Sequence, residues 1–231
     1  MGPLLLTPQW FYGYNIILEV IFAIITLGVS YYAWKIYKIS DERNIRLFSF
    51  AFAFIGLSYV ARALLNFLIL DRLDDNIGSI VNISSLYLFH LFGTYFYTIM
   101  FLIGILLLTY IALKIYSLQT FILLFILVFT SLYFTPFKTF MLYLLSVVLL
   151  GFIVIYYLNN YLKNKKVNAL LVSIAMLLLF AAYVCFVFSI DNAFYYFMGH
   201  LLEFTAYSMI LINLLSILKL DKKRKNGKKT R

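Results

Sequence analysis

Cysteine, proline and acid are all scarce in this chain: its 231 residues include one cysteine, three prolines and nine aspartates and glutamates. A lone cysteine, Cys185, excludes an internal disulfide framework, a CxxC motif and an iron–sulfur ligand set, and within its apolar run it reads as a packing residue. The prolines, Pro3, Pro8 and Pro136, interrupt no long apolar segment. That argues against the broken helices of many secondary transporters, as does the lack of an internal repeat. Charged residues make up 12% of the chain, too few to coat a water-soluble globule.

What is abundant is apolar and aromatic sequence, at 65% and 20% of the residues. The chain therefore reads as an all-α, multi-pass integral membrane protein. Seven apolar segments of roughly membrane-crossing length, about 20 residues each, run over 11–36, 46–70, 86–113, 118–135, 139–162, 168–190 and 193–218. Residues 1–218 read as one seven-helix transmembrane domain and 219–231 as a basic tail. The fourth segment is the shortest, closed by Thr135-Pro136-Phe137-Lys138, where the proline ends the helix. No charged leader or small-residue cleavage site precedes the first segment, which is expected to be a retained span.

The formal net charge of +10 does not point to nucleic acid, because the cations sit in short runs between apolar segments. Lys35, Lys38, Arg43 and Arg46 flank the first connection, Lys114 the third, and Lys163, Lys165 and Lys166 the fifth; eight more lie from Lys219 to Arg231. The alternate connections hold only Arg72 and Lys138 against Asp71, Asp74, Asp75 and Asp191. By the positive-inside rule the N-terminus is outside and the C-terminus cytoplasmic, in a cell membrane. The expected partners are the bilayer itself, anionic lipid at the basic tail, and a cytoplasmic or membrane protein that receives any signal, since no kinase, nucleotide-binding or DNA-binding segment is present. Asn82-Ile83-Ser84 is formally a glycosylation acceptor, close to the membrane.

Five ionisable side chains fall inside these segments: Glu19, Arg62, His90, His200 and Glu203. At such depth each costs several kcal/mol unless paired, so all should face the bundle interior. Helical phase agrees. Asn15 and Glu19 share a face of the first helix with Tyr12, Thr26 and Ser30, and Arg62 shares one of the second with Ser58 and Asn66. His90 aligns with Tyr87, Thr94 and Tyr97, and His200 and Glu203 align with Tyr196 and Tyr207. The fourth to sixth segments contain no acid, histidine or other base, so a sequentially wound ring would bring helices seven, one, two and three together as one polar layer.

Three functional readings compete with a purely structural lock, in which Arg62 neutralises Glu19 or Glu203. The leading one is an outward-facing polar pocket in a receptor-like or sensory bundle, binding a ligand or proton through Glu19, Arg62, His90, His200, Glu203, Asn15, Asn66 and Tyr207. A metal-dependent membrane hydrolase would use His90, His200, Glu203 and Glu19 as zinc ligands. Arg62 opposes a metal there, and the seventh helix has HxxE where alkaline-ceramidase-like and progestin-receptor-like hydrolases carry HxxxH. Electron transfer would place haem b between His90 and His200, with Gly93 and Gly199 relieving crowding. The layout resembles that of rhodopsins, but the middle of the seventh helix has no lysine for retinal. No cofactor is required by the sequence.

Overall fold

The computed structural model describes residues 12–74, 83–114, 117–190 and 192–229, with side chains left undescribed at 12, 68–74, 83–90 and 220–229. The described chain is all-helical: α1 (Tyr12–Ser40), α2 (Arg43–Asp74), α3 (Ile83–Ala112), α4 (Leu118–Tyr133), α5 (Lys138–Asn164), α6 (Val167–Phe188) and α7 (Ala193–Lys229). The protein is a multi-pass helical membrane bundle. Helix is the only way such apolar stretches satisfy their own backbone groups in lipid. Several helices overrun their apolar segments; α7 continues through most of the basic tail as one helix of 37 residues.

Six of the helices are long and apolar enough to cross a membrane, and α4 is not. Its 16 residues extend about 24 Å at 1.5 Å per residue, against a hydrocarbon core of about 30 Å. This corrects the expectation of seven full-length segments. It also corrects the sequential ring, because α3 packs directly on α5. The six long helices close in the order α1, α2, α3, α5, α6, α7, and among the described residues α4 packs only on α3 and α5.

The short helix still returns the chain. Lys138, at the start of α5, donates a hydrogen bond to Tyr95 early in α3 and lies 3.9 Å from its ring centroid, while the last turns of α5 lie beside the end of α3. Helices α3 and α5 are therefore parallel. So are α1 and α7, since Tyr196 meets Asn15 and Leu211 lies beside Gly28. At the common end of α1, α3 and α5, left-handed residues Asp41 (φ 53°), Lys114 (φ 52°) and Lys165 (φ 49°) turn the chain. Glycine usually takes such a position.

The surface and the core are both apolar, as lipid solvent demands. Ile24, Phe92, Leu123 and Val167 are exposed, while Phe22, Phe52, Leu102, Leu150, Ile153, Met176 and Ile210 fill the ring. Close approach replaces hydrophobic driving force between helices. A Cβ at Gly104 would meet the backbone oxygen of Ala51 at 2.8 Å, so α3 and α2 touch there through main chain. Nearer the cationic end, Ser30 and Ser49 clamp α1 to α2 reciprocally, each hydroxyl donating to the other's carbonyl at 2.9 and 2.8 Å.

Candidate functional site

Among the described residues two carboxylates lie in the ring, and each has its own set of partners. Glu19 on α1 is wholly buried. Its Oε1 receives the Nε–H of Arg62 on α2 at 2.9 Å and the Asn15 amide at 2.8 Å. The amide of Asn66, one turn beyond Arg62 on the same helix, reaches both oxygens at 2.9 and 2.8 Å. The i, i+4 spacing of Asn15 and Glu19 and of Arg62 and Asn66 stacks each pair on one helix face. Tyr196 of α7 closes this cluster, donating to Asn15 Oδ1 at 3.1 Å and accepting from Arg62 at 3.4 Å. The Arg62 guanidinium also lies 5.6 Å from the Tyr97 ring centroid, within cation–π range.

Glu203 on α7, 1% exposed, is served differently. Its Oε1 accepts hydrogen bonds from the hydroxyls of Tyr59 on α2 and Tyr183 on α6, the latter at 3.3 Å. Its Oε2 lies 3.4 Å from Nδ1 of His200, one turn earlier on the same helix. The Tyr207 hydroxyl is 3.3 Å from that of Tyr59. Helices α2 and α7 are not ring neighbours, so Tyr59 and Glu203 meet because long side chains cross the middle of the ring. His200 is caged by three rings, with centroids at 4.6 Å for Tyr196, 4.9 Å for Phe186 and 5.7 Å for Phe22.

Between the clusters lies a cavity of about 20 Å³, bordered by Arg62, Tyr143, Tyr183, His200 and Glu203. That is room for about one water molecule, and the polar lining suits one. Small-molecule pockets run from about 300 to 1,000 Å³. Among the described residues the polar layer thus packs around a water-sized void; with residues 1–11 and 75–82 outside them, the outward opening read from the sequence stays an expectation.

Of the residues singled out in the sequence, Asn15, Glu19, Arg62 and Asn66 come together in one cluster, and His200, Glu203 and Tyr207 in the other. The side chain of His90 lies outside the described residues, so its part in the layer stays an expectation. Thr26 and Ser58, read as members of the polar stripes, bond back to their own helices at Phe22 O and Ile55 O, both at 2.6 Å. Sequence reasoning missed Tyr59, Tyr143 and Tyr183. Tyr59 precedes Arg62 by three residues, which puts it on the same face and could have flagged it; for Tyr143 and Tyr183, in apolar segments without an acid, histidine or other base, no signal separates them from the other tyrosines.

Both cofactors considered from the sequence require His90, whose side chain lies outside the described residues, so the zinc and haem readings stay expectations. Among the described residues no group of three histidine, cysteine, aspartate or glutamate side chains converges, and both Glu19 oxygens are engaged by Arg62 and the two asparagines. His200 packs against the rings of Tyr196, Phe186 and Phe22. The glycines proposed to relieve crowding around haem serve helix contacts: a Cβ at Gly199 would meet the Phe186 ring at 2.5 Å, and one at Gly93 would collide with Leu65.

Fold and site together define a helical multi-pass membrane bundle with a buried polar core in which Glu19 is ion-paired with Arg62. The chain matches no protein-family model, no curated protein and no solved structure.

Proposed function

We propose that the protein is a receptor-like sensor of the cell membrane, oriented with its N-terminus outside. In this reading the Glu203, His200 and tyrosine cluster takes up a proton from the outer side and passes the change to a cytoplasmic partner. The observation that carries it is the inequality between the two carboxylates. Glu19 has a guanidinium and two amides, whereas Glu203, equally buried, has phenol hydroxyls and an imidazole beside a water-sized void. A buried ionisable group without a permanent counter-charge in contact is a functional candidate in a membrane segment.

The consequence of protonation follows from hydrogen-bond inventory. As a carboxylate, Glu203 only accepts; as an acid, one oxygen becomes a donor. The contacts of Glu203 with Tyr59, Tyr183 and Nδ1 of His200 are then redistributed around the new donor. Tyr59 belongs to α2 and Tyr183 to α6, so rearrangement alters how α7 packs on α6 and how its side chains reach α2 across the ring. Helix α7 runs unbroken from Glu203 to Lys229, which carries any rotation into the basic tail.

The test combines infrared difference spectra with a reporter. A fluorophore at Ser216→Cys in a Cys185→Ala background is followed while outer pH falls from about 8 to 5, across the usual histidine and upper carboxylate range. Wild type should show a signal coincident with a new carbonyl band of a protonated carboxyl group. Glu203→Gln should remove both, and His200→Gln should displace the midpoint. A flat reporter with no carbonyl band in wild type refutes the proposal and leaves the layer as a structural lock.

A further inference from the structure

A second cavity, remote from the paired carboxylates, lies where α3 and α5 end together. Its volume is about 310 Å³, at the lower end of the range for small-molecule sites. It straddles a membrane boundary, because both apolar spans stop there, at Ala112 and Asn164. Its walls divide by depth. Towards the helix ends stand Lys114, on the left-handed residue just past α3, and Lys163, in the last turn of α5, with Asn159 and Asn160 beside them. Deeper, Phe152 and Ile155 supply the apolar wall, and both turn away from the ring, at 49% and 59% exposure.

The lining residues of α5 recur at three- and four-residue intervals, so they form one stripe on the outer face of the helix. The adjoining face of the helix, with Tyr143, Leu150 and Ile153, is buried in the ring. No residue of α4 lines the cavity. The cavity therefore opens sideways to lipid. Neither lysine has a carboxylate partner among the described residues.

The geometry points to a binding site for one anionic glycerophospholipid: its phosphate between the ammonium groups of Lys114 and Lys163, Asn159 donating to a head-group oxygen, and an acyl chain descending over Phe152 and Ile155. Two cations at the boundary above an apolar wall fit both halves of such a molecule, and basic pockets between helices are a recurrent way of holding acidic head groups. A soluble anion would satisfy only the upper half. The site is independent of the carboxylate layer and of the cations beyond Lys219.

The test uses the full-length protein in a neutral detergent. Lipid retention is counted by native mass spectrometry, and the thermal midpoint is followed with added phosphatidylglycerol, phosphatidylcholine or inorganic phosphate. One phosphatidylglycerol should be retained and should raise the midpoint. Lys114→Gln should weaken binding about fivefold, and Lys114→Gln with Lys163→Gln about thirtyfold, at roughly 1 kcal/mol per cation. Both lysines are exposed, so these variants should fold normally, and the paired arginine variants should keep the lipid. Glutamine at Lys222, Lys223, Arg224 and Lys225 should leave retention unchanged. Undiminished retention in the double glutamine variant, equal retention of phosphatidylcholine, or an equal midpoint rise with inorganic phosphate alone would each overturn the assignment.

Discussion

Replacing Arg62 by methionine removes the only cation in contact with Glu19 among the described residues and keeps most of the side-chain volume. Glu19 is then a wholly buried carboxylate held by two neutral amides. Breaking one partner out of a buried ion pair costs about 3–5 kcal/mol. At about 2–4 °C per kcal/mol for a chain of this size, the apparent thermal midpoint should fall by roughly 6–20 °C. The sequence allowed Arg62 to serve either acid, but the 2.9 Å contact assigns it to Glu19. The double variant Arg62→Met with Glu19→Gln should therefore recover at least half of the loss, because the remaining amides can bond to one another. Adding Glu203→Gln should contribute no further recovery. The assay is a thermal scan in one detergent at fixed heating rate, with the three variants compared as a coupling cycle. If Arg62→Met with Glu203→Gln recovers as much as the pair with Glu19→Gln, the assignment of the ion pair is wrong.

Two further outcomes follow from other parts of the bundle. Gly199→Leu should destabilise by about 1–3 kcal/mol through overpacking against Phe186, and Phe186→Ala in the same chain should return part of it; additive losses in the double variant would show that the two helices do not meet at this point. Single cysteines at Asp74 and Asp191, in a Cys185→Ala background, should react with an impermeant reagent added outside sealed cells, and one at Asn164 should not; labelling of Asn164 from outside would reverse the orientation.

The existence and rough position of each helix were legible in the sequence because hydropathy is a local property and the bilayer sets a minimum length for a crossing segment. The readings 139–162 and 168–190 differ by only a residue or two from Lys138–Asn164 and Val167–Phe188. Helical phase also found which polar residues share a face. The longer helices overran their segments because a helix continues into the polar interface as readily as in lipid, and apolarity alone does not mark where it stops. Three things were decided only by the tertiary arrangement. The shortness of α4 leaves it outside a ring closed by α3 and α5, so neighbours in sequence are not neighbours in space. Arg62 reaches Glu19 rather than Glu203 because α1 and α2 pack side by side, whereas α2 and α7 meet only across the ring. Tyr59, Tyr143 and Tyr183 gain their place from where α2, α5 and α6 point inward at one depth. Among 20 tyrosines in the chain, that depth and direction place these three in the layer beside Tyr196 and Tyr207, and neither is written in the residues that flank them.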